Sequence, residues 1–249
     1  MHRNKSVAVI TPTIGTDYLV QAMQSVGNKA EHWIIADGSA YANGVASRIQ
    51  AHPYNQRFIV LPENTGTPTK WFRDLPYPGF FNGYRINAAI PLLVSADYTI
   101  FLDEDNFFDE DHIESMVKAI EENGWDWCYS LRKIVDKEGN FLFNDDCDSL
   151  GRWPVYKDDT DHLVDMNCYC FKTEAIAQIA HSMYHPRDTL AGDRRLYLLA
   201  SSNFPNFGCT GKYSVNYRLT RPDQEKWFAK GNALTTKQYN GYFPWSKHD

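Results

Sequence analysis

The chain has 249 residues, 43% of them hydrophobic and 22% charged, with a formal net charge of −6 and a pI near 5.7. That length can bury a sizeable core in one large domain or two closely packed lobes. The acidic balance argues against broad nucleic-acid or anionic-membrane binding. No apolar run approaches the roughly 18 residues a membrane-spanning helix needs.

"KSVAVITPT" (5–13) reads as a buried strand that stops at Pro12. "DYLVQAMQSVG" follows, with Leu19, Ala22, Met23 and Val26 at helical spacing and Gly27 as the stop. "HWIIADGS" (32–39) is a second strand running into a turn, and "RFIVLPEN" (57–64) a third. "GYRINAAIPLLVSA" (83–96) is helical in pattern, with Pro91 expected to kink it or mark its start. "DYTIFLD" (97–103) is a fourth strand, and a helix with Ile113, Met116, Val117 and Ile120 on one face ends near Gly124.

Strand alternating with helix predicts an α/β layer on a mostly parallel sheet, whose ligands bind at the carboxyl ends of the strands. Asp37, Asn64 and Asp103 all sit where a strand gives way to a loop. In the second half, "WDWCYSLRKIV" and "NFLF" predict strands separated by the turn "DKEG". "DDCDSLGRWPVYKDDTD" (145–161) predicts a loop, "HLVDMNCYCFK" (162–172) a strand, and Thr173 the start of another helix. A further helix starts around "AGDRRLYLLA", and "KYSVNYRLT" (212–220) is the last strand. From Arg221 onward there is no clear periodicity, and no linker divides the chain.

The five cysteines show no metal-knuckle spacing, and the N-terminus has no signal-peptide pattern. A reducing, cytoplasmic setting is expected. The eight histidines form no metal-spaced pair.

The acidic stretch "DYTIFLDEDNFFDEDH" (97–112) divides into two groups. Asp109, Glu110 and Asp111 directly precede a helix, where the macrodipole favours anions. Asp103 and Asp105 flank one residue at the strand end and can reach a common point. Two carboxylates so placed suit a hard divalent cation that keeps water or phosphate as its other ligands. A solvated turn is the alternative reading. Trp71, Trp153 and Trp227 lie in loop-like segments, open to sugar stacking or to core packing.

Several segments, in order from residue 6 to about 220, resemble family 2 glycosyltransferases of the GT-A fold. "SVAVITPTIGTDYLVQAMQSV" is similar to the family's opening strand, Pro-Thr turn and helix; "WIIADGSA" resembles its second strand. "ENTGTPTKWF…GYRINAAI" resembles its Asn-x-Gly segment and Arg-Asn helix start, and "YTIFLDEDNFFDEDHIESMV" its strand, DxD motif and helix. "DMNCYCFKTEAI" fits the acceptor-side strand and helix, and "AGDRRL" the element carrying the catalytic base.

The resemblance implies one GT-A catalytic domain over 1–249, a Rossmann-like, mostly parallel sheet with a smaller acceptor-side β/α portion. Its nucleotide-binding half would be 5–125, its acceptor-side half 126–220 and its tail 221–249. It implies transfer of a single sugar from a nucleotide diphosphate sugar, most often UDP-linked, to a hydroxyl acceptor on a glycan or small molecule. Mn²⁺ or Mg²⁺ would be held by Asp103 and Asp105, and Asp193 would be the base of an inverting transfer. Thr11, Pro12, Thr13, Asp37, Asn64, Arg85, Asp103, Glu104 and Arg194 would line the donor.

The chain departs from the pattern in four places. One acidic residue, Asp37, follows the second strand, and the insert "TPTKWFRDLPYPGFF" is long. Gly192 stands where many members have Glu, and the Gln-x-x-Arg-Trp motif of processive synthases is missing. A degenerate module that binds nucleotide sugar without turnover is therefore the second reading, and a haloacid-dehalogenase-type phosphatase the third.

Overall fold

The computed structural model of the chain describes residues 5–36, 39–61, 83–153, 155, 162–184 and 192–246. Strands β1 (Val7–Thr13), β2 (Glu31–Ala36), β3 (Gln56–Val60) and β4 (Tyr98–Phe101) form a parallel array in the order β3-β2-β1-β4. The Val-Ile-Ala composition of β1 suits it: all seven of its residues are buried between helices. β1 runs through Pro12 to Thr13 instead of stopping at the proline. Its pairing with β4 ends at Ile10, so Pro12 lies where one side of the strand has no neighbour and an absent N–H is tolerated.

Helices α1 (Leu19–Val26) and α2 (Ser39–Ala51) connect these strands. α1 buries Leu19, Ala22, Met23 and Val26, and ends at Gly27, whose φ of 55° a side chain would resist. α3 (Tyr84–Ala89) stops before Pro91, and Ile90–Leu92 tightens into a 3₁₀ turn. A proline there cannot donate back into the helix, so the helix ends. α4 (His112–Asn123) closes on Gly124 in the left-handed conformation.

The second half adds β5 (Phe107–Phe108), β6 (Trp127–Val135), β7 (Phe141–Asn144), β8 (Tyr169–Lys172) and β9 (Phe207–Arg218), with helices α5 (Thr173–Ile179) and α6 (Gly192–Asn203) between β8 and β9. β8 pairs antiparallel with both β4 and β6, and β9 runs parallel to β6 and antiparallel to β5. One sheet therefore runs through both halves, and its central strands share one core built around Ile10, Phe101, Trp127, Tyr169 and Phe171.

Further predicted elements differ: the last strand, expected over 212–220, starts earlier, as β9 (Phe207–Arg218). The strand expected over 162–172 is extended chain to Asp165, a 3₁₀ turn over Met166–Cys168, and strand only from Tyr169. The turn forms because the Asp165 side chain accepts the Asn167 N–H at 3.0 Å, an aspartate cap that competes with strand pairing. The stretch after Arg221 forms α7 (Pro222–Gln238), begun by Pro at its first position and by the Gln224 side chain, which accepts the Arg221 N–H at 2.9 Å. Its apolar positions are sparse, which hid it from periodicity. Phe228 packs with Ile134, Cys147 and Leu219. None of the five cysteines is in a disulfide, and no helix among the described residues is long and apolar enough to cross a membrane.

Candidate active site

The site is built at the carboxyl end of β4. Leu102 still donates to the Ile10 carbonyl, and the chain then turns at Asp103, closed by the Asn106 N–H on the Asp103 carbonyl at 3.1 Å. Asp103 and Asp105 both lie half-buried on this turn, while Glu104 between them is buried.

Glu104 points inward because β1 offers it donors. It accepts from the Thr13 hydroxyl at 2.6 Å and from the backbone N–H groups of Ile14 and Thr16 at 3.1 and 3.0 Å. Of the residues expected to line the donor, Glu104 and Thr13 are thus spent on each other. They tie the loop after β1 to the acidic turn. Thr11, also buried, pairs its hydroxyl with His32 Nε2 at 2.8 Å, and Pro12 lies inside β1. Arg85 is exposed on α3, its guanidinium 5.6 Å from the centre of the Tyr184 ring. Arg194 is half-buried on α6 (Gly192–Asn203). Asp37 and Asn64, like Trp71, lie outside the described residues.

Two arginines that sequence reasoning missed hold the turn from behind. Arg218, on β9, donates from Nε to the Asp105 carbonyl at 2.9 Å, and its N–H bonds Asn106 Oδ1 at 2.9 Å. It also bonds Gln21 on α1 and the Lys137 carbonyl, and lies over the Tyr18 ring at 4.5 Å. Arg132, on β6, is 3% exposed and bonds three carboxylates: Asp145 at 2.7 Å, Asp148 at 2.9 Å, and Asp165. Asp165 passes this anchorage forward. Asn167 Nδ2 donates to Asp165 at 2.6 Å and to Asp103 at 3.0 Å, while its Oδ1 accepts the Asp103 N–H at 2.5 Å. The carboxylate and backbone of Asp103 are both fixed by one buried amide.

Charge accumulates here. Burial, then the neighbouring Asp105 and Asp165, push Asp103 up to about 7. Burial, then Glu104, push Asp105 up to about 6, with Arg218 opposing. Asp193, the second residue of α6, joins the same field although it is far away in sequence. Burial raises its carboxyl well above the usual range; Asp165 and Asp103 add to this, while a hydrogen bond from Tyr84 and the charge of Arg132 oppose it. Its Oδ1 is buried with no hydrogen-bond partner among the described residues. The structure thus brings Asp103, on the acidic turn, and Asp193 within electrostatic reach of each other and of Asp165.

No family model and no curated protein matches the sequence. Solved structures do match in shape. Residues 1–349 of S. aureus TarS in complex with UDP-GlcNAc superpose with a TM-score of 0.61 at 16% identity, over 87% of this chain and 59% of that one. The same protein in complex with UDP gives 0.60 at 15% identity, over 92% and 65%. Without ligand it gives 0.60 at 14%, over 95% and 72%. The fold is GT-A. The chain spans about three-fifths of the TarS 1–349 chain in its UDP-GlcNAc complex.

The second acidic group has a structural use. Asp109 pairs with Lys133 at 2.6 Å and accepts from Asn216 at 2.9 Å; Asp111 pairs with Lys212 at 2.7 Å, which holds its carboxyl below the usual range. These contacts fasten the start of α4 to β6 and β9. Trp153 is half-buried and packs near Tyr129 and Trp245, and Trp227 stands edge-on to Phe228.

Proposed function

We propose that the chain is a metal-dependent glycosyltransferase that moves one sugar from a nucleotide diphosphate donor, UDP-linked, to a hydroxyl acceptor with inversion. The observation carrying this reading is the electrostatic coupling of Asp193 to Asp103, on the acidic turn that follows β4 and also carries Asp105, in a GT-A fold. The UDP and UDP-GlcNAc complexes of TarS support the donor class.

Among the described residues no three His, Cys, Asp or Glu side chains form a ready-made metal site. Two do suit a shared cation. Asp103 and Asp105 offer hard oxygen donors whose raised proton affinity, partly from mutual repulsion, is the property a divalent cation relieves. Mn²⁺ or Mg²⁺ held by this pair, with diphosphate oxygens as further ligands, would offset the charge that develops on the departing nucleotide.

The chain's own residues supply the rest. Asn167 and Arg218 hold the turn so that the donor phosphates meet a fixed surface. Asp193 takes the proton of the acceptor hydroxyl. The acceptor oxygen bonds to the anomeric carbon as the bond from that carbon to the diphosphate breaks, and the electron pair leaves with the nucleotide. A carboxylate raised well above its usual range is a stronger base once ionised.

The second reading is a module that binds nucleotide sugar without turnover; it is favoured by the raised proton affinity of Asp193, which leaves less of it ionised at neutral pH. The phosphatase reading is set aside, because that family places its motif on the first strand, whereas Asp103 follows β4, the fourth strand of a GT-A sheet. A thermal-shift screen of nucleotide sugars with and without Mn²⁺ tests the proposal. Metal-dependent stabilisation by a UDP-sugar is expected, together with loss of donor turnover in Asp105→Ala and in chelator. Unchanged turnover in chelator would remove the metal from the mechanism. Tight binding with no transfer or hydrolysis of any donor would select the second reading.

A further inference from the structure

Two features left unused by that mechanism meet at Asp193. The first is Gly192. A Cβ built on it would lie 2.7 to 2.8 Å from ring carbons of Tyr84, closer than such atoms approach. The Tyr84 ring therefore fills the space that any larger residue at 192 would need. The second is the Tyr84 hydroxyl, which acts on the proton affinity of the Asp193 carboxyl, whose buried Oδ1 has no hydrogen-bond partner among the described residues.

The placement of Tyr84 is not incidental. It opens α3, whose first turn closes through the Asn87 N–H on the Gly83 carbonyl at 2.9 Å. Ile86 and Asn87, next along the helix, are buried, so the helix and the ring at its start have a fixed seat. α3 packs on the 3₁₀ turn Ala180–Met183, and so does α6. One turn thus sets the spacing between the helix that carries Tyr84 and the helix that carries Asp193.

We infer that Tyr84 is the positioning residue of the base: its ring rests on Gly192 and its hydroxyl donates to the Asp193 carboxylate, fixing the carboxylate's orientation. This deepens the reading above and rests on it. A phenol suits the task because it is neutral. It orients the carboxylate and favours its ionised form, yet does not cancel the charge as an arginine or lysine would, so basicity is kept. The charged and titratable groups facing Asp193 from other elements are Asp103, Asp165 and Arg132 beside Tyr84. Tyr169 adds a weaker contact, its hydroxyl donating to the Asp193 carbonyl at 3.5 Å. Gly192, the departure from the family's Glu-Asp pattern, is then the partner of Tyr84 and not a sign of decay.

The test is Tyr84→Phe, which keeps the ring over Gly192 and removes one hydroxyl. With UDP-GlcNAc as donor probe, water as acceptor and Mn²⁺ present, kcat at neutral pH should fall roughly three- to tenfold, the worth of one neutral hydrogen bond. KM should change less than about twofold, and the ascending limb of the pH profile should move to higher pH. In parallel, ¹³C NMR of the Asp193 carboxyl should show its titration shifted upward in the variant. An unmoved pH limb with unchanged kcat, or an unmoved carboxyl titration, overturns the inference. Gly192→Ala should reproduce the kcat loss by displacing the ring; wild-type kcat and pH profile in that variant would also overturn it. A wild-type protein that neither binds nor hydrolyses any UDP-sugar defeats the functional reading instead, and the NMR arm still decides the contact.

Discussion

Replacing Arg132 by Met is the sharpest test of how the acidic site is held. Arg132 is 3% exposed and answers three carboxylates, and its guanidinium lies 4.2 Å from the centre of the Tyr217 ring. Methionine preserves much of that packing and removes the charge. Asp148 is 16% exposed on its side chain and can turn to water. Asp145 and Asp165 have less freedom. Asp145 keeps only backbone donors, from Cys147, Asp148 and Ser149 at 3.0 to 3.2 Å, and Asp165 keeps Asn167. Removing one partner of a buried charge set costs about 3–5 kcal/mol, since the remaining charges stay desolvated. In a chain of this size that lowers the melting temperature by roughly 6–20 °C. Urea unfolding followed by circular dichroism measures it, and Arg132→Met with Asp145→Asn should recover part of the loss. A loss below about 1 kcal/mol would show that the carboxylates reach water or share protons, and would refute the charge-anchoring argument.

The metal binding proposed above should weaken as pH falls, because protons compete for Asp103 and Asp105, pushed up to about 7 and about 6. Between pH 8 and 5.5 the Mn²⁺ affinity measured by calorimetry should drop on the order of a hundredfold; a flat profile would show that other groups bind the ion. His32 and His112 act on stability. Burial lowers both to about 3, below the value near 6.5 of an unfolded chain, so each contributes stability that is present above pH 6.5 and lost as pH falls toward 3. Asp103 and Asp105 have the opposite sign: raised in the fold, they favour it at low pH and lose that contribution as pH rises through 6 and 7. His32→Gln should therefore flatten the acid-side loss of urea stability, and an unchanged slope would reassign it. Gly151→Ala should destabilise by about 2–4 kcal/mol, because Gly151 has a φ of 63° and a Cβ there would sit 2.5 Å from the buried Tyr129 phenol. A wild-type unfolding midpoint would contradict that geometry.

Much of the first half was legible because local rules and tertiary outcome agree there. The apolar runs of β1, β2 and β4, the helix stripe of Leu19, Ala22, Met23 and Val26, and the stops at Gly27 and Gly124 depend on periodicity and backbone conformation. The Asp103–Asp105 turn was visible because two carboxylates of one turn depend only on local spacing. Asp193 was reached through the resemblance, and its neighbours could not be read at all. α7 escaped because its burial rests on Phe228 meeting Ile134, Cys147 and Leu219, a pairing that periodicity in one segment does not reveal.

The sequence by itself determined the alternation of strand and helix, the acidic turn at the end of β4 and the residues able to bind or take protons. Tertiary structure alone decided which of them face each other. It turned Glu104 inward to Thr13, joined Arg132 through Asp165 and Asn167 to Asp103, and set Tyr84 against Gly192 and Asp193. The physical reason is range. Hydrophobic periodicity and turn chemistry act over a few residues, whereas hydrogen bonds and burial join groups many tens of residues apart. Such pairings, and the proton affinities they impose, exist only once the sheet has brought the two halves together.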